Sequence, residues 1–175
     1  MDFESQLVAE HSKRNVVFIA NYIGSNRKLF KEFLKVFETA DYHISQRAAW
    51  VLSFVADRHP EAMKGSVPYL IQLLNKPFHA AIRRNVLRVL EDVDIPEEEI
   101  GFLADKCFAY LHDLEEPTAV KAFAITVLYK ICLKEPDLKN ELIPTLQDML
   151  PYGSAGVKVR CKKYLKLLDK IPKNN

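Results

Sequence analysis

The chain has 175 residues, with 25 basic and 23 acidic side chains and a formal net charge of +2. This length fits one compact domain with a continuous core. Because the net charge is so near neutral, total charge alone does not indicate a nucleic-acid or membrane partner. Positive charge is concentrated at the C-terminal end, where seven basic residues from Lys158 to Lys173 stand against one acidic residue, Asp169. The distribution of charge therefore has to indicate the partner.

The N-terminal sequence and the cysteines predict a soluble, cytoplasmic protein. No basic start is followed by a long apolar core, and no run approaches the roughly 20 apolar residues of a membrane span. Cys107, Cys132 and Cys161 are far apart, form no CxxC pair and lie inside apolar helical patterns. We expect them to be reduced thiols in the core.

One helical pattern recurs along the whole chain. An aliphatic anchor is followed by small or apolar residues four, eight and eleven positions later, the spacing of one helix face. The anchors follow one another at intervals of 38, 38 and 37 residues, and a weaker copy, SKRNVVFIANYI, precedes them. They are Ile44, Ile82, Val120 and Val157, and the slot eight residues later is always leucine: Leu52, Leu90, Leu128 and Leu165. A near-constant period of this length indicates a helical repeat protein.

Each copy is preceded by another amphipathic segment. KLFKEFLKVF, SVPYLIQLL and ELIPTLQDML carry apolar residues at helical spacing. Pro60, Pro96, Pro117 and Pro136 fall between the apolar blocks, as expected for the first turns of helices. Alternating strand patterns are absent, so the sequence predicts an all-α fold. The helix pairs should meet near residues 40–43, 76–79, 113–117 and 151–155.

Over residues 12–168 the chain resembles the HEAT-repeat family of armadillo-type helical repeats. The resemblance rests on the second-helix pattern, on the proline-containing first helices, and on Asn75 and Asp113, near where the family carries an acidic residue. Ser45 in the basic slot and PYGSAG in the last repeat depart from the family pattern. The resemblance implies a right-handed α-α superhelix, or α-solenoid, of about four to five helix pairs. We divide this single domain of residues 1–175 into a partial repeat at 1–25 and repeats at 26–58, 61–93, 96–134 and 136–171.

Helical phase sorts the polar and aromatic residues of the second helices. With about 100° of rotation per residue, the position directly after the anchor borders the core, so Arg83, Lys121 and Lys158 are expected to be structural. The second, sixth and ninth positions point away from the core, and the resemblance implies that they line the concave surface. These inner-surface residues are Arg14, Phe18, Asn21, Gln46, Trp50, Ser53, Arg84, Arg88, Glu91, Ala122, Thr126, Tyr129, Val159, Lys163 and Lys166.

Part of this inner surface has the composition of a binding site. Aromatic and arginine side chains are enriched in protein-binding hot spots, and they also form nucleic-acid grooves, where bases stack and arginines bind phosphates. In the opposing interpretation, Phe18 and Trp50 pack against each other and against the segment DFESQLV, leaving nothing exposed. The predicted partner-binding residues are Arg14, Phe18, Trp50, Arg84, Arg88, Tyr129, Lys163 and Lys166.

Catalytic and metal-binding motifs are not evident in the sequence. The histidines fall in or next to different turns without metal-ligand spacing, and no glycine-rich phosphate loop or nucleophile motif is present. The acidic run DVDIPEEE lacks the glycine and alternating ligands of a calcium loop, so it indicates a solvated helix start. We therefore expect no cofactor, no metal ion and no small-molecule substrate. The five histidines are His11, His43, His59, His79 and His112.

Two functional hypotheses from different classes remain. The first is a non-catalytic HEAT-repeat scaffold or adaptor whose concave face binds a protein segment with acidic, or acidic and apolar, side chains. The second is a nucleic-acid-binding helical-repeat protein, related to HEAT-like DNA glycosylases, that uses the same face and the basic residues from Lys158 to Lys173. Only Glu91 offers a carboxylate on the inner surface for repair chemistry. The sequence therefore favours the adaptor.

Overall fold

The structure is a computed structural model that describes residues 1–39, 41–77 and 79–172. Every regular element in these ranges is helical, which confirms the predicted all-α fold. Short 3₁₀ turns precede α6, α8 and α10 at Pro60–Met63, Glu97–Glu99 and Pro136–Leu138. The α-helices are α1 Phe3–Ala9, α2 Lys13–Ile23, α3 Arg27–Leu34, α4 Val36–Thr39, α5 Tyr42–Arg58, α6 Val67–Leu73, α7 Ala80–Leu90, α8 Ile100–His112, α9 Thr118–Cys132, α10 Lys139–Tyr152 and α11 Ala155–Leu168.

The backbone packs as two compact units, Met1–Val89 and Leu90–Asn175, which are described in turn. The predicted 113–117 junction lies between α8 and α9, and the 151–155 junction spans the end of α10 and the start of α11. Ala40 and Phe78, in the other two junctions, and Lys173, in the basic C-terminal segment, lie outside the described residues. The single domain and its repeat boundaries stay a prediction.

Side-chain caps begin four helices of the first unit. The caps are Asp2 for α1, Ser12 for α2, Asn26 for α3 and Asp41 for α5, and each accepts a hydrogen bond from a backbone N–H of the first turn. Such caps satisfy amide groups that have no partner inside the helix. α2 ends at Gly24, whose φ of 51° lies in the left-handed region that favours glycine. Local sequence thus fixes where these helices start and stop.

The core of the first unit forms where α2 packs along α5. Ile19 of α2 and Leu52 of α5 are fully buried. Phe30 and Phe33 of α3 stack at 6.4 Å, and Phe37 of α4 meets Phe33 edge to face at 6.2 Å. These three phenylalanines are among the largest fully buried side chains of the protein.

In the second unit α9 is the central helix. It packs against α8 on one side and α11 on another, and α10 packs on α11. Pro117 stands at the N-cap of α9, as its position between apolar blocks predicts. The ammonium of Lys130 on α9 donates to the backbone carbonyls of Leu90 and Glu91 at 3.3 and 3.1 Å. It therefore satisfies carbonyl groups that the end of α7 leaves without helical partners.

The leucine slots are buried, but the buried band is wider than the sequence pattern predicts. Leu52, Leu90 and Leu128 are fully buried, whereas Leu165 is half-buried. Ser53 is also fully buried, so its assignment to the inner surface is wrong. The reason is that α5 packs along α2 and also bonds to α7 through Ser53. Two sides of this helix are removed from solvent instead of one stripe.

The cysteines are free and buried, which confirms the prediction of core thiols. Cys107 lies on α8, Cys132 ends α9 and Cys161 lies on α11. None of the helices in the described ranges combines the length and the hydropathy that a bilayer crossing needs.

Candidate partner-binding surface

The predicted contact residues fall into two sets, one in each unit, which are described separately. The arginine–aromatic set, on α2, α5 and α7, consists of Arg14, Phe18, Trp50, Arg84 and Arg88. The tyrosine–lysine set, on α9 and α11, consists of Tyr129, Lys163 and Lys166.

Phe18 is the most exposed apolar member of the arginine–aromatic set. Its side chain is 52% exposed, while Val16 and Ala20 on the opposite side of α2 are buried. Because those neighbours hold α2 against the core, helical phase forces Phe18 outward. The interpretation that the N-terminal segment covers this ring is therefore wrong.

Trp50 is half-buried, and its aromatic contacts come from its own unit. The indole meets His11 edge to face at 5.9 Å and Phe54 at 6.3 Å between ring centroids. The guanidinium of Arg58 lies 5.4 Å from the centre of the Phe54 ring. Among the described residues, the indole's ring contacts are thus with His11 and Phe54 and not with Phe18. The ring is held in place while part of it stays accessible to solvent.

The N-terminal helix α1 packs elsewhere in the first unit. Phe3 meets Tyr22 and Phe33 edge to face at 6.2 and 5.4 Å. Arg47 of α5 donates from Nη1 to the carbonyl of Leu7 at 2.7 Å, at the end of α1. A cation at a helix C-terminus satisfies free carbonyls and favours the helix dipole. These contacts fix α1 while leaving Phe18 exposed.

The arginines of the set differ in how far they are engaged. Arg14 is largely exposed and lies 4.0 Å from Glu10. Arg84 is exposed. Arg88 forms an ion pair with Asp57 of α5, with Nη2 and Oδ2 2.8 Å apart, and both side chains are partly exposed. Arg14 and Arg84 are therefore the more available cations, and Arg88 is partly neutralised.

The tyrosine–lysine set is organised by a buried tyrosine of α11. The half-buried Tyr129 packs on the buried Tyr164 with the rings 4.9 Å apart and tilted by 40°. The ammonium of Lys163 lies 4.9 Å from the centre of the same Tyr164 ring. Lys163 and Lys166 are exposed. The set thus presents two accessible ammonium groups beside a fixed aromatic pair.

Another basic residue of α11, Arg160, has a structural environment that the sequence did not reveal. Its Nη1 lies 3.1 Å from Glu91 Oε1 and donates to the hydroxyl of Thr126, and its guanidinium lies 5.7 Å from the centre of the Phe123 ring. Glu91, the carboxylate considered for repair chemistry, is thus held in an ion pair. Arg160 stands three residues after its anchor Val157, and Asn85 of α7 stands three residues after its anchor Ile82. A comparison of the repeats at this position was the one sequence signal that could have pointed to Arg160.

Asp57 is the other residue that the sequence analysis missed. It follows Trp50 by seven residues, two helical turns, so it lies on the same side of α5. The repeat pattern stops at the eleventh position after the anchor, and extending it by two residues would have found this partner of Arg88.

The ionisable groups of the described residues give no nucleophile or metal cluster. Burial raises the pKa of the Cys107 and Cys161 thiols and raises that of Cys132 to about 11, so they stay protonated near neutral pH. No group of three or more His, Cys, Asp or Glu side chains in the described ranges has the geometry of a metal site.

A protein-family model described as a HEAT repeat domain matches residues 3–168, almost the whole chain. The chain belongs to the HEAT-repeat family. No curated protein and no solved structure matches the sequence significantly. HEAT repeats form helical scaffolds and are typically non-catalytic. For this HEAT-repeat protein, the family gives the architecture, and the partner has to be inferred from the surface.

Proposed function

We propose that this HEAT-repeat protein is a non-catalytic adaptor that binds a protein segment through the arginine–aromatic set of its first unit. The observation that carries the proposal is the exposure of Phe18, 52%, on the same unit as a half-buried tryptophan and three arginines. Tryptophan and arginine dominate the energetics of protein–protein hot spots.

The physical state of these side chains supports binding over a purely structural role. Phe18 contributes little to the core, because half of its surface stays in water. Trp50 is held by His11 and Phe54, so a partner that covers it loses little side-chain freedom on binding. An aromatic ring that is already ordered and still partly accessible is a favourable anchor for a partner side chain.

The charges indicate the chemistry of the partner. Arg14 and Arg84 are exposed cations, and Arg88 shares its charge with Asp57. Carboxylates are the protein groups that guanidinium binds best. We therefore propose a segment that offers acidic side chains to the arginines and an apolar side chain to Phe18 and Trp50.

Two further features are parts of the same proposal. Glu91 is engaged by Arg160, which supports a structural role for this carboxylate and a protein without catalytic activity. The buried free thiols support a reducing, cytoplasmic location.

The test begins with affinity purification from the native host to identify a partner, followed by titration with variants. We expect Trp50→Ala to weaken binding by about 2 kcal/mol, roughly thirtyfold, and Phe18→Ala to weaken it by a smaller factor. Tyr152→Ala is the matched control, because Tyr152 is an aromatic residue 91% exposed on the second unit. Denaturation curves of all three variants verify folding.

The same titration separates the adaptor from the nucleic-acid alternative. Binding that persists unchanged in folded Trp50→Ala and Phe18→Ala proteins overturns the proposal. A nucleic-acid ligand whose affinity falls by orders of magnitude between about 50 and 200 mM salt supports the alternative instead, because phosphate contacts release counterions.

A further inference from the structure

We infer that the second unit carries its own docking groove, which accepts a protein segment with an apolar side chain flanked by carboxylates. The inference rests on the proposed function, since it takes the same partner class to a second site. We call this site the Leu133 groove. It is lined by Tyr129, Leu133, Pro136, Leu167, Lys170, Ile171 and Pro172 and has a volume of about 300 Å³.

The lining of the Leu133 groove is apolar with one charge. Leu133, just past α9, is 56% exposed, an unfavourable state for a large aliphatic side chain in water. Its neighbours across the groove are Leu167 of α11 and Ile171. Among the described residues of the lining, only Lys170 is charged. A leucine-sized side chain placed there would remove Leu133 from water.

Contacts within the second unit hold the residues that line the groove in place. The ammonium of Lys139, a residue only 7% exposed, donates to the carbonyls of Ile171 and Pro172 at 2.6 and 3.0 Å. Tyr129, on the opposite wall, packs on Tyr164. Both walls are thus held by contacts within the unit, which lowers the entropy cost of binding.

Two lysines of α11 and one in the turn after it lie on the Leu167 side of this segment. Lys163, Lys166 and Lys170 lie within about 100° of Leu167 in helical phase, while Asp169 lies about 200° away. All three are exposed. Glu135, next to Pro136 in sequence, lines a different groove together with Glu97. The lysines therefore place positive charge on the Leu167 side of the Leu133 groove, where it complements carboxylates.

These features favour a protein segment over nucleic acid or a small molecule. The volume is at the low end for small-molecule pockets and suits one or two side chains. Single-stranded nucleic acid needs aromatic faces for base stacking, and Tyr129 is already packed on Tyr164. An apolar groove bordered by lysines matches a segment in which acidic residues flank a leucine or phenylalanine.

The test uses fluorescence anisotropy with the full chain and three labelled probes. The first is a short peptide with one central leucine flanked by glutamates, the second has serine in place of the leucine, and the third is a single-stranded oligonucleotide. We expect the leucine peptide to bind and the serine peptide to bind at least about fivefold more weakly. Equal affinities for the two peptides overturn the apolar part of the inference.

Substitutions on the protein provide the second arm. Leu133→Ser should weaken the leucine peptide about fivefold, and Lys166→Glu about tenfold, because an attraction becomes a repulsion. Lys31→Glu is the matched control, since this exposed lysine lies on α3 of the first unit, and it should change affinity less than about twofold. An equal loss in Lys31→Glu overturns the inference. An oligonucleotide that binds more tightly than the peptide, with an affinity that Leu133→Ser does not change, also overturns it.

Trp50→Ala distinguishes failure of this inference from failure of the proposed function. The inference predicts that this variant leaves the leucine peptide's affinity unchanged, because all described lining residues of the Leu133 groove belong to the second unit. If Trp50→Ala weakens binding of the native partner while the groove variants leave the peptide's affinity unchanged, the inference about the groove is overturned and the proposed function stands. If the groove variants weaken peptide binding while Trp50→Ala and Phe18→Ala leave the native partner's affinity unchanged, only the proposed function is overturned.

Discussion

The hydroxyl of Ser53 on α5 donates a 2.9 Å hydrogen bond to Oδ1 of Asn85 on α7, and both side chains are buried. The amide nitrogen of Asn85 in turn donates to the carbonyl of Ala81 at 2.9 Å. Buried polar groups are tolerated only when they find partners. This bond therefore fixes the register of α5 against α7 inside an otherwise apolar core.

Removing the amide should destabilise the first unit. We expect Asn85→Ala to lower the free energy of unfolding by about 1–3 kcal/mol, because the Ser53 hydroxyl loses a buried acceptor. Ser53→Ala should cost about 1 kcal/mol. Urea denaturation of both single variants and the double variant measures their coupling, and strictly additive effects would show that the two side chains do not cooperate.

The leucine slots give a second prediction about stability. Leu90→Ala and Leu128→Ala should each lower the free energy of unfolding by about 2–5 kcal/mol, since both side chains are fully buried and truncation leaves a cavity. Arg84→Ala, an exposed change on the same helix as Leu90, should stay within about 0.5 kcal/mol of the parent protein. Guanidinium denaturation compares the three, and an Arg84 variant as unstable as the leucine variants would contradict the exposure assigned to that residue.

The Arg88–Asp57 ion pair allows charge at the surface to be changed without disturbing the fold. Because both side chains are partly exposed, we expect Asp57→Asn to alter stability by no more than about 1 kcal/mol. The variant leaves Arg88 without its neutralising carboxylate, so an acidic partner should associate faster, with the gain shrinking at high salt. Stopped-flow association at two salt concentrations measures this, with Asp105→Asn as a control on α8. A slower association would show that the partner segment is not acidic.

Tyr69 gives the first unit a predictable response to alkaline pH. Its hydroxyl donates to the carbonyl of Leu34 at 3.1 Å and also lies 3.3 Å from Glu38 Oε1. Burial, and then the negative charge of Glu38, raise the pKa of Tyr69 from 10.0 to about 12. Between these values the unfolded chain loses the phenolic proton while the folded chain keeps it. Stability should therefore be intact below pH 10 and fall as the pH rises towards 12.

The comparison with Tyr69→Phe isolates this contribution. Phenylalanine cannot ionise, so the difference in unfolding free energy between the parent and the variant should shrink as the pH rises from about 10 to 12. Thermal or urea unfolding at several alkaline pH values provides the measurement. A difference that stays constant with pH would mean that Tyr69 titrates equally in the folded and unfolded chains.

The sequence predicted those features that depend on local periodicity. The burial of Leu52, Leu90 and Leu128 follows from helical spacing alone. The same spacing placed Phe18 away from the core stripe but left open whether the N-terminal segment covers it. Ser53 was misassigned because the pattern treats each second helix as having one buried stripe, whereas α5 is covered on two sides. The partners of Arg160 could not be predicted, since Glu91 lies 69 residues away and no local signal links them. Contacts between repeats depend on packing that a one-dimensional pattern does not contain.

Lys139 makes the residues after α11 part of the folded protein. Its buried ammonium takes its acceptors from the carbonyls of Ile171 and Pro172, although both residues follow the last turn of the helix. A truncated variant that stops at Leu168 would lose both of these hydrogen bonds and should therefore be less stable than the full chain. Limited proteolysis between Leu168 and Pro172 should be slow for the same reason. Expression boundaries and cleavable tags are best placed beyond Pro172.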